Sequence, residues 1–68
     1  MKQISGKALI KIATDHGWVV IRIKGSHPIM GKEGEASILT IPVHSNKPLK
    51  LGLLKALMKQ AGLTDDDL

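Results

Sequence analysis

Leu9, Ile12, Ala13 and His16 recur at the spacing of one helix face and predict a first helix from about Gly6 to His16, with these four as its buried stripe. Ser5 stands where a hydroxyl can cap the first turn, Ile4 and Leu9 have the spacing of a hydrophobic staple, and Gly17 suits a left-handed stop. The next run, Trp18 to Lys24, is rich in β-branched residues and too short for another helix, so it reads as a strand. Alternation puts Val19, Ile21 and Ile23 on the core face and Trp18, Val20, Arg22 and Lys24 on the outer face. Gly25-Ser26 is a turn, and a short second strand runs from His27 to Gly31. Lys32 to Glu35 is a polar connection, Ala36 to Ile41 a third strand stopped by Pro42, and Val43 to Pro48 a loop. Leu51, Leu54, Leu57, Met58 and Ala61 form the stripe of a last helix from about Leu49 to Ala61, closed by Gly62 with Leu63 folding back. Thr64 and Asp67 are spaced as a capping-box pair opening a further helix, which the chain is too short to complete. The order is αβββα: an α+β sandwich in which one three-stranded antiparallel sheet is backed by two helices, with residues 1–68 as a single domain.

Composition narrows what such a domain can do. A chain of 68 residues buries only about 60% of its unfolded surface, which leaves no room for a cofactor domain or a deep cavity. Any function sits on a surface or in a shallow groove. The 43% hydrophobic content suits a packed core, and nearly all of it is aliphatic. Trp18 is the only aromatic residue, so rows of stacking rings for reading bases are excluded. Cysteine is absent, which removes disulfides and thiolate metal sites. The N-terminus lacks a signal-peptide pattern and no run approaches the ~20 apolar residues of a membrane span, so a cytoplasmic protein is expected.

The net charge of +4 understates the basic character of the body, because all ten Lys and Arg precede the acidic run Asp65-Asp66-Asp67. A basic body with an acidic tip fits a polyanion or an acidic protein as partner. The plain alternative is a lysine surface kept for solubility, and charge alone does not separate the two.

Each of the three histidines has a dull reading beside a chemical one. His16 falls at a helix C-terminus, where an imidazolium interacts well with the macrodipole, and is read as structural. His44 follows Ile41-Pro42-Val43 and is read as a residue that orients its loop. His27 is set differently. It follows Gly25-Ser26 at the end of a strand that carries Arg22 and Lys24. A glycine turn lets amides approach a ligand, two cations can hold a phosphate, and an imidazole, with an unperturbed pKa of about 6.5, can move a proton at neutral pH. The scattered carboxylates Asp15, Glu33 and Glu35 offer no metal-ligand spacing, and no cofactor or metal is expected.

The string Gly17-Trp18 … Arg22-Ile23-Lys24-Gly25-Ser26-His27 resembles the core signature of the HicA toxins, a glycine–aromatic pair leading to Arg-x-x-Gly-Ser-His. Ile41-Pro42-Val43-His44 is similar to that family's exit from the third strand, and Leu53-Leu54-Lys55 through Lys59-Gln60-Ala61-Gly62-Leu63 to its final helix and cap. Ser5-Gly6-Lys7 and Leu9-Ile10 also fit, so the resemblance spans nearly the whole chain in order. It implies a fold like a double-stranded-RNA-binding domain, cleavage of messenger RNA that blocks translation, His27 as the catalytic residue, and neutralisation by a HicB antitoxin that covers the site. Pro28 departs from the pattern where the family often keeps an amide donor, and Leu53 stands where it commonly has threonine.

The expected chemistry is metal-independent. His27 acts as general acid–base group with one other proton carrier or water, while Arg22, Lys24, Gly25 and Ser26 bind the phosphate. Two other readings stay open: a non-catalytic RNA-binding module of the same shape, and a small protein-interaction domain with incidental charge.

Overall fold

The computed structural model describes residues 3–68, in the order α1 (Gly6–Asp15), β1 (Val19–Lys24), β2 (His27–Gly31), β3 (Leu39–Thr40), α2 (Leu51–Ala61) and a closing 3₁₀ turn (Asp65–Asp67). The three strands form one antiparallel sheet in sequential order, so β1 and β3 are its edges. Both helices contribute to one core with Met30 of β2 and Leu39 of β3. This is the α+β arrangement expected from the pattern. Among the described residues no helix is long and apolar enough to cross a membrane.

Both helices end the same way, and this decides where the core lies. At the end of α1 the Gly17 amide donates to the Thr14 carbonyl and the Trp18 amide to Ala13, with Gly17 at φ 96°. At the end of α2 the Gly62 amide donates to Lys59 and the Leu63 amide to Met58, with Gly62 at φ 73°. This paired pattern satisfies the last carbonyls and folds the following residue back onto the helix. The residue thrown inward is Trp18 in one case and Leu63 in the other, and both are buried. Trp18 therefore belongs to the helix stop and not to the strand. Its ring is fully enclosed, and the indole nitrogen donates to the Ala61 carbonyl at 3.3 Å. The expectation that Trp18 lies on the outer face is thus corrected.

The rest of β1 departs from expectation as well. Every residue of the strand is exposed, including Val19, Ile21 and Ile23, which alternation had placed in the core. One cause is a bulge: Val20 pairs with Met30, Arg22 pairs with Ile29, and Ile21 is the extra residue between them, so the alternation changes phase. The other is coverage, since the buried sheet residues lie on β2 and β3 and none on the β1 edge. Ile21 instead lies across the bare backbone of Gly31, 3.5 Å from where a β-carbon would stand.

β3 is two residues long where six were expected. The chain beyond it keeps close to β2, with the Ile41 amide donating to the Pro28 carbonyl and the Val43 amide to the Ser26 carbonyl. Pro28 accepts on that side but has no N–H to give back, so the ladder there is half made. The last helix starts at Leu51, two residues later than expected, and Leu51 is exposed while Leu54, Leu57, Met58 and Ala61 are buried. His16 is also outside the core. Its Nε2 lies 3.3 Å from Asp67 Oδ1, which ties the end of α1 to the 3₁₀ turn. That turn does form, in place of an uncompleted helix. The Thr64 amide donates to Asp67 Oδ2 at 2.8 Å and holds this carboxyl below the usual carboxylate range, and the charge of His16 acts in the same direction.

Trp18→Ala should remove the largest buried side chain and orphan the Ala61 carbonyl, costing about 3–5 kcal/mol, most of the stability of a domain this small. Trp18→Phe should cost less, because it keeps an aromatic ring and loses the hydrogen bond. Urea melts followed by circular dichroism check the order; equal midpoints for wild type and Trp18→Ala contradict it.

Candidate active site

Gly25 and Ser26 are the whole connection between β1 and β2, with Gly25 at φ 61°. A two-residue hairpin wants glycine at its first turn position, where this backbone angle is costly for other residues. The turn sets Lys24 directly opposite His27, and Arg22 opposite Ile29. Arg22, Lys24 and His27 therefore share the sheet face opposite to buried Met30. All five residues singled out by the sequence, Arg22, Lys24, Gly25, Ser26 and His27, are exposed at this end of the hairpin. The structure brings them together.

It also brings in a residue that the sequence had placed elsewhere. The bond from the Val43 amide to the Ser26 carbonyl, 2.9 Å, carries the segment after β3 alongside the hairpin turn. His44 comes next, and its ring stands edge-on to that of His27, with centroids 5.9 Å apart and planes at 88°. Both rings are exposed, and among the described residues no hydrogen bond ties either to the protein. His44 was read as a loop-orienting residue because its partner lies 17 positions away. The available signal was Ile41-Pro42-Val43, an extended run that can pair with the strand before it.

Three contacts fix this segment from behind. A β-carbon at Gly6 would overlap the Pro42 carbonyl oxygen, so α1 begins in direct contact with the backbone that leads to His44. Ser5 and Pro48 form an isolated antiparallel bridge, and the Leu49 amide donates to the Ile4 carbonyl at 2.8 Å. Within the turn, the Lys47 amide donates to the His44 carbonyl at 3.1 Å, and Ser45 sits at φ 54°. A left-handed serine costs roughly 1–2 kcal/mol and persists only where the surroundings impose it. His44 lines a groove of about 430 Å³ together with Pro42, Lys47, Lys50 and Leu53, so two lysines share the groove of His44 while Arg22 and Lys24 share the sheet face of His27. Leu53, the departure from the resembled pattern, presents only alkyl surface here.

A family model described as the HicA toxin of bacterial toxin-antitoxin matches residues 6–63. Among solved structures, a chain of a toxin–antitoxin complex from Streptococcus pneumoniae is similar at 38% identity with a TM-score of 0.74, covering 88% of this chain and 98% of that one. No curated protein matches.

Gly6→Ala should push the Pro42 backbone away and displace His44, with a loss of about 1–3 kcal/mol. Gly52→Ala, on a helix position with nothing within 4 Å, should be neutral or stabilising by about 0.5–1 kcal/mol. Thermal melts and the His44 ring signals in NMR read both. A Gly6→Ala protein with wild-type stability and unmoved His44 signals contradicts the bracing role.

Proposed function

The chain belongs to the HicA toxin family, and from that premise we propose that it is an endoribonuclease that cuts messenger RNA and is held in check by an antitoxin of the HicB type. The observation that carries the reading is the exposed His27 on a hairpin turn, on the same sheet face as Arg22 and Lys24. Cleaving RNA by transesterification requires the 2′-hydroxyl to lose its proton, the phosphorane charge to be stabilised and the departing 5′-oxygen to be protonated. His27 supplies proton transfer, worth roughly 10²–10⁴ in rate. Arg22, Lys24 and the Gly25-Ser26 turn hold the phosphate and offset its charge. Because the contacts are to the backbone of the RNA, binding is electrostatic, weakens with salt and discriminates little between sequences.

The antitoxin reading draws on two observations. The solved neighbour is itself a toxin–antitoxin complex. On this chain, the β1 edge beside His27 exposes Val19, Ile21 and Ile23, the last at 66%. Aliphatic surface of this extent along an unpaired edge favours a protein cover over an RNA one. A partner that binds only the folded toxin also stabilises a domain of this size.

His27→Ala should reduce cleavage by about 10²–10⁴ while leaving the fold and most RNA affinity intact. The wild-type products should end in 2′,3′-cyclic phosphate in the presence of EDTA. A wild-type chain that binds RNA at low salt without cutting it would identify a non-catalytic module instead. Ile23→Ser, which changes no charge, should weaken the complex with the antitoxin by about 1–2 kcal/mol in calorimetry without affecting RNA cleavage. Unchanged affinity would place the antitoxin elsewhere on the surface.

A further inference from the structure

The two rings at the tip of the hairpin are close enough to share one small ligand, and each is free to do so. Their centroids are 5.9 Å apart in an edge-to-face arrangement. Neither is tied to the protein by a hydrogen bond among the described residues. A histidine kept to orient its loop needs such a bond, and His44 makes none with its ring. The loop is shaped instead by backbone contacts, from Val43 to Ser26 and from Lys47 to His44, and by the close approach of Gly6 to Pro42. These contacts consume no side chain of His44, and the strained Ser45 beside it marks a conformation held against its own preference.

We propose that His44 is the second proton carrier of the cleavage reaction, paired with His27 across the scissile phosphate. This rests on the reading of the chain as a ribonuclease acting through His27, and it assigns the partner that reading leaves open. In the step, the 2′-oxygen bonds to phosphorus while the bond from phosphorus to the 5′-oxygen breaks. One imidazole, neutral, takes the proton of the 2′-hydroxyl. The other, as imidazolium, gives its proton to the 5′-oxygen, which leaves with the electron pair of the broken bond as a 5′-hydroxyl. The other product is a 2′,3′-cyclic phosphate. The two rings finish with their protonation states exchanged, and solvent resets them. Arg22 and Lys24 face the phosphate from the His27 side, and Lys47 and Lys50 from the His44 side. Neither segment 25–31 nor segment 41–50 contains a carboxylate.

The test uses the full chain, a short RNA and a matching RNA whose 5′-bridging oxygen at the cut is replaced by sulfur. A departing thiolate needs no proton. On the ordinary RNA, His44→Ala and His44→Gln should each lower kcat by about 10²–10³, with little change in KM. Wild-type kcat/KM should be bell-shaped in pH, and each single-histidine variant should lose one limb. On the sulfur substrate, one of the two alanine variants, and only one, should recover, which identifies the ring that serves as acid. Wild-type kcat in His44→Ala, with His27→Ala inactive, overturns the pairing and leaves the His27 assignment standing. Loss of activity in His44→Ala with neither variant rescued by sulfur also overturns it, since a positioning role would act on both substrates alike. Wild-type cleavage by both alanine variants instead removes the ribonuclease reading of His27 itself.

Discussion

A single indole joins parts of this molecule that lie far apart in the chain. Trp18 is delivered to the interior by the stop of α1, fills the space between helices and sheet, and donates its one polar hydrogen to the end of α2. The Ala61 carbonyl is among those left without a partner inside the helix, so one bond serves two needs. With no other aromatic residue in the chain, the rest of the core is built of aliphatic and methionine side chains. β1 is left uncovered because its bulge shifts the alternation and the buried sheet residues lie on β2 and β3.

The end of the molecule that carries His27 and His44 depends on an unmade backbone bond. Pro28 returns no donor to the neighbouring chain, so β3 ends after two residues and the segment beyond it is released from strict pairing. It stays close through the bond from Val43 to Ser26, then turns at Ser45. A fully paired strand would have carried residue 44 past the hairpin turn in extended form. The irregular exit sets its ring beside His27.

Much of this was legible in the sequence. Ser5 caps α1 through the Ala8 amide, Gly17 and Gly62 end the helices and Gly25-Ser26 makes the hairpin, all as the pattern predicts, and four of the five stripe residues of α2 are buried, Leu51 being the exception. These are local features, decided by residues within one or two turns of each other. What escaped was set by distant parts. The bulge at Ile21 depends on its fit over Gly31, and the inward turn of Trp18 depends on Ala61. Exposure of β1 follows from where the helices lie. The same division runs through the site: Arg22, Lys24, Gly25, Ser26 and His27 form one continuous stretch and were read together, whereas His44 arrives by tertiary contact.

The bulge in β1 also governs what can lie along that edge. A second copy laid antiparallel against it would meet an interrupted row of donors and acceptors, and would set Arg22 and Lys24 near their own like charges. An acidic visitor meets no such repulsion, and a flexible one can bend around the interruption. The strand is therefore discouraging to its own kind and open to a stranger.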